Sequence, residues 1–155
     1  MFRWVRRYIG LSTFLLFSFA AISNASAGRD EARRVQLVVD DLARELRLPA
    51  TVTATIVQSN PLLVSVEPDE VATGAFVLSF EERFLDQLGD DELRAVVAHE
   101  LGHVWIFTHH PYLQTERLAN SVAMRVVSRQ SLEDVYVKVW ERAGTKGNMV
   151  RFLGH

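Results

Sequence analysis

Residues 99–103 read His-Glu-Leu-Gly-His, a group of side chains that can both bind a metal and move a proton. On a helix, His99 and His103 lie four residues apart on one face, so their imidazole nitrogens can converge on one metal ion. Glu100 lies about 100° round the helix from His99, where it can reach a water at the metal without being a ligand. The pentapeptide therefore predicts a zinc site with Glu100 as the general base.

The residues around the pentapeptide predict the helix that this geometry requires. Gly89 is a tolerable N-cap, Glu92 follows three residues later, and the first turn is acidic. Two histidines on a largely buried helix would cost about 1–3 kcal/mol each without partners, which favours metal ligands over histidines of the core. Apolar residues then recur at helical spacing, at Leu93, Val96, Val97, Leu101, Val104 and Trp105.

A catalytic zinc site needs a third protein ligand, and the sequence after this helix offers one. A turn at residues 109–111 leading into a second helix would form an antiparallel hairpin, in which residues equally distant from the turn lie at the same height. Position 103 then faces Glu116, which would complete a set of two His and one Glu and leave the fourth position for water. The alternative for Glu116 is a solvated acid, favoured near a helix start by the macrodipole.

The same pairing places Asn120 opposite His99. Its side-chain oxygen could accept from the ring N–H that is not used for the metal, and so orient the imidazole. The alternative is an ordinary polar residue of the helix. Because a carboxylate would make this hydrogen bond charge-assisted, Asn120→Asp is expected to raise the zinc affinity.

Two segments, residues 75–103 and Glu116-Arg-Leu-Ala-Asn-Ser-Val-Ala123, resemble the core of the gluzincin peptidases. The similarity is to the group that contains HtpX and the CAAX prenyl endopeptidases, where the third ligand is a Glu in a pattern like Glu-x-x-Ala-Asp-x-x-Ala. The resemblance implies zinc, a peptidase activity and Glu100 as base. Asn120 departs from the pattern, and the short interval between His103 and Glu116 is more similar to the compact minigluzincins.

A second class of zinc peptidase, the metzincins, offers an alternative third ligand. Its pattern His-Glu-x-x-His-x-x-Gly-x-x-His would make His109 the ligand. Ile106 holds the glycine position, however, and a β-branched residue resists the φ > 0 turn that would bring His109 back to the metal. We therefore prefer Glu116, and expect His109 to be a turn residue.

The N-terminus predicts a signal peptide at residues 1–27, with three arginines, an apolar run at 9–22 and Ala25-Ser-Ala27 as the cleavage site. The run is short for a membrane span of about 20 residues, so we expect no stable span after cleavage; an uncleaved N-terminal anchor is the alternative. The protein is thus expected to be exported, either periplasmic or secreted. The sequence contains no cysteine, which excludes a lipid-modified cysteine and disulfides.

The net charge of the domain expected at residues 28–155 limits which binding partners can be expected for it. It would keep all 19 acidic residues but three fewer than the 17 basic ones, a formal charge of about −5. This excess argues against nucleic acid and anionic membrane surfaces as partners. Peptides or unfolded proteins remain as the expected substrates, and the oligomeric state is not predicted.

The chain as a whole predicts one α+β domain of zincin-like fold. A small, mainly antiparallel three-stranded sheet is expected to pack on the active-site helix and on an αα-hairpin. Ser79 is the expected N-cap of a short helix that ends at Gly89, and Ser131 that of the last helix. The predicted elements are a helix at 29–47, strands at 51–57, 62–67 and 75–80, and a last helix at 131–143.

The function predicted from these parts is a zinc endopeptidase with one Zn²⁺ per chain, in which Glu100 moves the proton of a zinc-activated water. Strand 75–80 is a possible sheet edge on which an extended peptide could pair. The alternative is a weak or inactive zinc-stabilised binding or regulatory domain of the cell envelope. Candidate oxyanion stabilisers are Tyr112, His109, His110, Arg151 and His155.

Overall fold

The structure is a computed structural model that describes residues 15–154 of the chain, and side chains from residue 28 onward. The chain divides into two compact units, Met1–Glu31 and Ala32–His155. The described part of the first unit belongs to helix α1 (Leu15–Glu45). Residues 1–14 of the expected signal peptide, and His155, lie outside the described residues. Among the helices that are described, none has both the length and the apolar character needed to cross a membrane.

The second unit combines a three-stranded sheet with helices, so the predicted α+β class is confirmed. Sequence analysis did not predict the short last helix, which proves important for the site. After α1, the elements in chain order are β1 (Thr51–Val57), β2 (Val64–Pro68), β3 (Ala75–Glu81), α2 (Glu82–Leu85), α3 (Asp90–His109), a 3₁₀ turn (Pro111–Leu113), α4 (Glu116–Ala123), α5 (Arg129–Ala143) and α6 (Met149–Leu153).

The sheet is mixed, which corrects the expectation of a mainly antiparallel one. Its order is β1-β3-β2, with β3 parallel to β1 and antiparallel to β2. The third strand takes the centre because it is the most apolar: Phe76, Leu78 and Phe80 are all buried. Strand 75–80 is therefore not the sheet edge, and β2 holds that position on the side of α3.

Two predicted helix N-caps are wrong by a few residues, and the short helix α2 ends at Leu85, before the expected Gly89. Ser79 lies within β3, and the N-cap of α2 is Glu81, whose carboxylate accepts from the Phe84 N–H at 2.7 Å. The fifth helix begins earlier than expected, because Ser128 and not Ser131 is its N-cap. The Gly89 start of α3 is as predicted, with the Glu92 carboxylate accepting from the Gly89 N–H at 2.7 Å.

A core of apolar side chains joins α1 and the sheet to the active-site helix. Val35, Val39 and Leu42 of α1 are fully buried, as are Leu78 and Phe80 of β3. Helix α3 is buried over most of its length, in agreement with the apolar spacing of its sequence. It packs against α4, α5 and β2, so the helix that carries the two histidines is fixed on three sides.

Helices α3 and α4 lie close together at Gly102. A Cβ atom at this position would clash with the Ala119 carbonyl oxygen and would lie 2.9 Å from the Ala119 carbonyl carbon. Both atoms belong to the α4 backbone and cannot move without moving the helix. The glycine therefore lets α4 lie close enough for Glu116 and Asn120 to reach the histidines of α3.

We expect Gly102→Ala to destabilise the fold and weaken the zinc site together. The added methyl forces α4 away, which should lower the free energy of unfolding by about 1–3 kcal/mol. Urea unfolding and a zinc titration measure the two effects. Gly89→Ala is the control for the zinc titration, because its Cβ would make an ordinary 3.5 Å contact with Glu92 and any loss of stability would come from the N-cap of α3. Equal stability and zinc affinity in Gly102→Ala and wild type would contradict the close approach of the two helices.

Candidate active site

Three side chains from α3 and α4 converge at one point. Nε2 of His99 lies 3.2 Å from Oε2 of Glu116, and Nε2 of His103 lies 3.4 Å from Oε1 of the same carboxylate. One ligand atom from each of the three residues can be chosen so that all lie within 4.8 Å of one another. Ligands at zinc bond lengths in a tetrahedron are about 3.3 Å apart, so the spacing suits this ion. The structure thus brings together the three residues predicted as ligands.

Each histidine is held by a side chain on its other ring nitrogen. Nδ1 of His99 lies 2.8 Å from Oδ1 of Asn120, the contact that the hairpin pairing predicts. Nδ1 of His103 lies 3.1 Å from Oε1 of Gln114, whose amide nitrogen donates to the His103 carbonyl oxygen at 3.2 Å. Both acceptors favour a proton on Nδ1 and leave the Nε2 lone pair free for a metal.

The charges of the site also favour a cation between the three residues. The hydrogen bonds of His103 and His99 hold the pKa of Glu116 well below its ordinary value, so this carboxylate is ionised. Burial acts to lower the pKa of His103, but its hydrogen bonds to the Glu116 and Gln114 side-chain oxygens raise this pKa overall. An ionised carboxylate beside two imidazole nitrogens is a donor set that fits a metal cation.

Glu100 is buried beside the histidines. Its side chain contributes to the wall of the same cleft, and the residue is only 9% exposed. Burial raises the pKa of Glu100, while the nearby His99 and His103 and the Val66 backbone act in the opposite direction. A carboxyl group with a raised pKa is better matched to taking up and releasing a proton near neutral pH.

A cleft of about 450 Å³ opens over these residues. The whole of β2 lines it, together with the α3 face that carries His99, Glu100 and His103. Most of the remaining lining is apolar, which is typical of a binding site with a few fixed polar groups. It consists of Leu62, Phe76, Phe84, Val96, Val104, Phe107, Leu132, Val135, Tyr136 and Val139, with Gln114 and Glu116 at the metal position.

Asn120 links the site to the C-terminal part of the chain. It is fully buried, and its amide nitrogen donates to the Tyr136 hydroxyl at 2.8 Å and to the Phe152 carbonyl at 3.0 Å. With Oδ1 on His99, every hydrogen-bonding group of this amide has a partner. Burial, as the largest cause, raises the pKa of Tyr136 to about 12, so its hydroxyl keeps its proton.

The geometry does not favour the metzincin alternative. Helix α3 continues through Ile106, and His109 stacks on Trp105 with ring centroids 4.2 Å apart. Nδ1 of His109 lies 2.8 Å from the Trp105 carbonyl oxygen, to which it donates. The group of potential metal ligands found among the described residues contains Glu116 and not His109.

Of the predicted oxyanion stabilisers, those that the structure describes do not line the cleft. Tyr112 is 97% exposed, His110 and Arg151 are exposed, and His155 lies outside the described residues. Sequence analysis missed Gln114, Tyr136 and the Val66 backbone. Gln114 stands two residues before the predicted ligand, a position that could have drawn attention to it. Nothing in the sequence indicates that Tyr136 of α5 comes near residues of α3.

Comparison with known proteins gives two matches. The model of the family described as Peptidase family M48 matches residues 29–153. A protein described as a protease HtpX homolog, from Archaeoglobus fulgidus, is 35% identical over 95 residues, which are 61% of this chain and 27% of that protein. The match therefore spans about a quarter of the relative's length. No solved structure matches the chain. The resemblance to the HtpX group drawn from the two motifs is confirmed.

Proposed function

Because this chain belongs to peptidase family M48, we propose that it is a zinc-dependent endopeptidase that uses Glu100 as its general base. The observation that carries the proposal is the convergence of His99, His103 and Glu116 at tetrahedral spacing, with the buried Glu100 beside them. Two imidazoles and one carboxylate are a ligand set typical of catalytic zinc, which keeps one position open.

In the proposed reaction, the residues of the site would have separate roles. His99, His103 and Glu116 hold the ion, which when bound supplies a Lewis acid for water and for the scissile carbonyl. Glu100 takes a proton from the attacking water and transfers it to the nitrogen of the leaving amine. Asn120 and Gln114 keep the two imidazoles oriented with Nε2 towards the ion.

The proposed substrate is an extended peptide paired with β2. Within the described residues this strand pairs with another strand on one side only, β3, and its whole length lines the cleft. Main-chain pairing binds a peptide with little demand on its side chains, which suits unfolded proteins. The apolar walls formed by residues such as Phe76 and Phe107 favour apolar side chains next to the cleaved bond.

We propose Tyr136 as the stabiliser of the oxyanion. Its hydroxyl accepts from Asn120, which leaves its own proton free to be donated, and its ring lines the cleft. A phenol whose pKa is about 12 remains a donor at any pH where the enzyme would act.

A second candidate function is a zinc-stabilised binding or regulatory domain without activity. The short connection between His103 and Glu116 favours it, because few residues are available there to shape a substrate site. The buried Glu100 favours the endopeptidase, since a structural zinc site needs no base and normally closes with a fourth protein ligand. Export to the periplasm or beyond, proposed from the N-terminal sequence pattern, fits either function.

The zinc proposal predicts about one zinc ion per chain and a strong response to chelators. At free zinc about a thousandfold above the Kd, binding contributes about 4 kcal/mol of stability, or about 10 °C in Tm. Metal analysis, thermal unfolding with and without chelator, and cleavage of a peptide library test this. His99→Ala is the control and should not respond to the chelator. Less than about 0.2 zinc ions per chain after zinc-supplemented refolding would refute the proposal.

A further inference from the structure

A carbonyl in the last turn of α6 fixes the orientation of a buried amide in the zinc site. The Phe152 carbonyl oxygen lies 3.0 Å from Nδ2 of Asn120 and can only accept a hydrogen bond. The amide must therefore present its nitrogen to α6. Its oxygen then faces the opposite way, towards Nδ1 of His99 at 2.8 Å.

The orientation of Asn120 in turn determines which nitrogen of His99 carries the proton. Because Oδ1 of Asn120 only accepts, His99 must donate from Nδ1. The lone pair then remains on Nε2, which faces the Glu116 carboxylate at 3.2 Å. The Phe152 carbonyl is thus linked by a hydrogen bond to Asn120, and Asn120 by a second one to His99, whose Nε2 faces the predicted metal position.

The C-terminal end of α6 is held by side chains from other helices. The last carbonyls of a helix have no partners within it. Here Asn120 satisfies the Phe152 carbonyl, and the Arg129 guanidinium donates to the carbonyls of Leu153 (3.3 Å) and Gly154 (2.9 Å). The Phe152 ring also lies against Tyr136, with centroids 5.1 Å apart. Asn120 and Arg129 thus provide polar contacts that hold this five-residue helix, beside the packing of its apolar side chains.

We propose that α6 is a latch of the zinc site: its docking on Asn120 and Arg129 holds His99 ready for the metal, and metal binding in turn stabilises α6. The proposal rests on the proposed zinc site. It makes Asn120 a positioning residue whose amide nitrogen matters as much as its oxygen. The Asp of the family pattern would offer no donor to the Phe152 carbonyl.

This role changes the expectation for Asn120→Asp. The sequence argument counted only the hydrogen bond to His99, which a carboxylate would strengthen. The Tyr136 hydroxyl can turn to donate to a carboxylate, but the Phe152 carbonyl cannot, so two acceptor oxygens would face each other at the present 3.0 Å. We now expect α6 to detach in this variant, and the zinc affinity not to exceed that of the wild type.

The first test is hydrogen exchange of the wild-type chain with and without zinc. Coupling between the site and α6 is reciprocal, so saturating zinc should slow amide exchange in residues 149–153 about fivefold or more. Residues 51–57 of β1, which do not contact the site, provide the internal reference. Zinc binding without slower exchange in α6 would overturn the latch alone, whereas no zinc binding at all would refute the proposed function.

The second test uses Arg129→Met and Asn120→Asp, with the 74% exposed Arg44 replaced by Met as the control. Without zinc, exchange in residues 149–153 should be about tenfold faster in both variants and unchanged in Arg44→Met. By competition with a chelator, the zinc Kd of Arg129→Met should rise about fivefold, although Arg129 does not contact the ligands. Unchanged α6 exchange in Asn120→Asp, or a looser α6 in Arg129→Met with an unchanged Kd, would overturn the latch.

Discussion

Replacing Glu100 by Gln is expected to lower kcat by about a thousandfold or more while zinc stays bound. Gln has the same size and keeps an oxygen that can accept from the Val66 backbone, but it cannot take the proton of the attacking water. Glu100 lies outside the three potential ligands, so the metal should be unaffected. The measurements are kcat on a cleaved peptide and the zinc content of the same preparation.

Glu82→Gln is the matched control for this prediction. Glu82 is an exposed residue at the start of α2 and does not line the cleft. Its replacement should change kcat by less than about twofold, since surface substitutions rarely affect the fold. Activity of Glu100→Gln within tenfold of the wild type would exclude Glu100 as the base, and a loss of zinc in this variant would assign it to the metal instead.

Glu116→Ala is expected to weaken zinc binding by about a thousandfold or more and to remove the activity with it. Loss of a group that only orients a ligand costs about 10- to 100-fold in affinity, so loss of a ligand should cost more. The carboxylate would also offset part of the positive charge of a zinc ion bound by His99 and His103, whose Nε2 atoms lie 3.2 and 3.4 Å from its oxygens. Competition with a chelator of known affinity measures the change.

His109→Ala separates the two classes of zinc site in the same experiment. This residue stacks on Trp105 and donates to the Trp105 carbonyl, so its loss should lower the stability slightly and leave the zinc Kd within about threefold of the wild type. If His109→Ala loses zinc and Glu116→Ala retains it, the ligand set is that of a metzincin and the site described here is wrong.

The residues of the site could be predicted because their geometry is local. The spacing of His99 and His103 is a property of one helix, and equal height across a short hairpin follows from helical rise. That argument brought Glu116 to His103 and Asn120 to His99, and the structure has both contacts. Their roles as metal ligands and as base remain predictions until metal is measured.

The features that the sequence did not reveal depend on contacts between distant segments. The order of the strands depends on which strand the core covers best, and the buried Phe76, Leu78 and Phe80 place β3 in the centre. The contact of Asn120 with Phe152 joins residues 32 positions apart, on helices that no periodicity relates. Helix α6 itself has only five residues, too short for an apolar period to appear.

The edge of β2 that faces the cleft could bind a substrate peptide, but it also exposes the protein to aggregation through strand pairing. Among the described residues, no second strand pairs with β2 on the side of the cleft, and the Val66 backbone hydrogen-bonds to Glu100 there. An edge without a neighbouring strand also attracts strands of other molecules. Three features limit that hazard. The strand is only five residues long and ends at Pro68, and Glu67 places a charge beside the proline. The edge is therefore long enough for one peptide but too short and too interrupted to begin aggregation between copies of the chain.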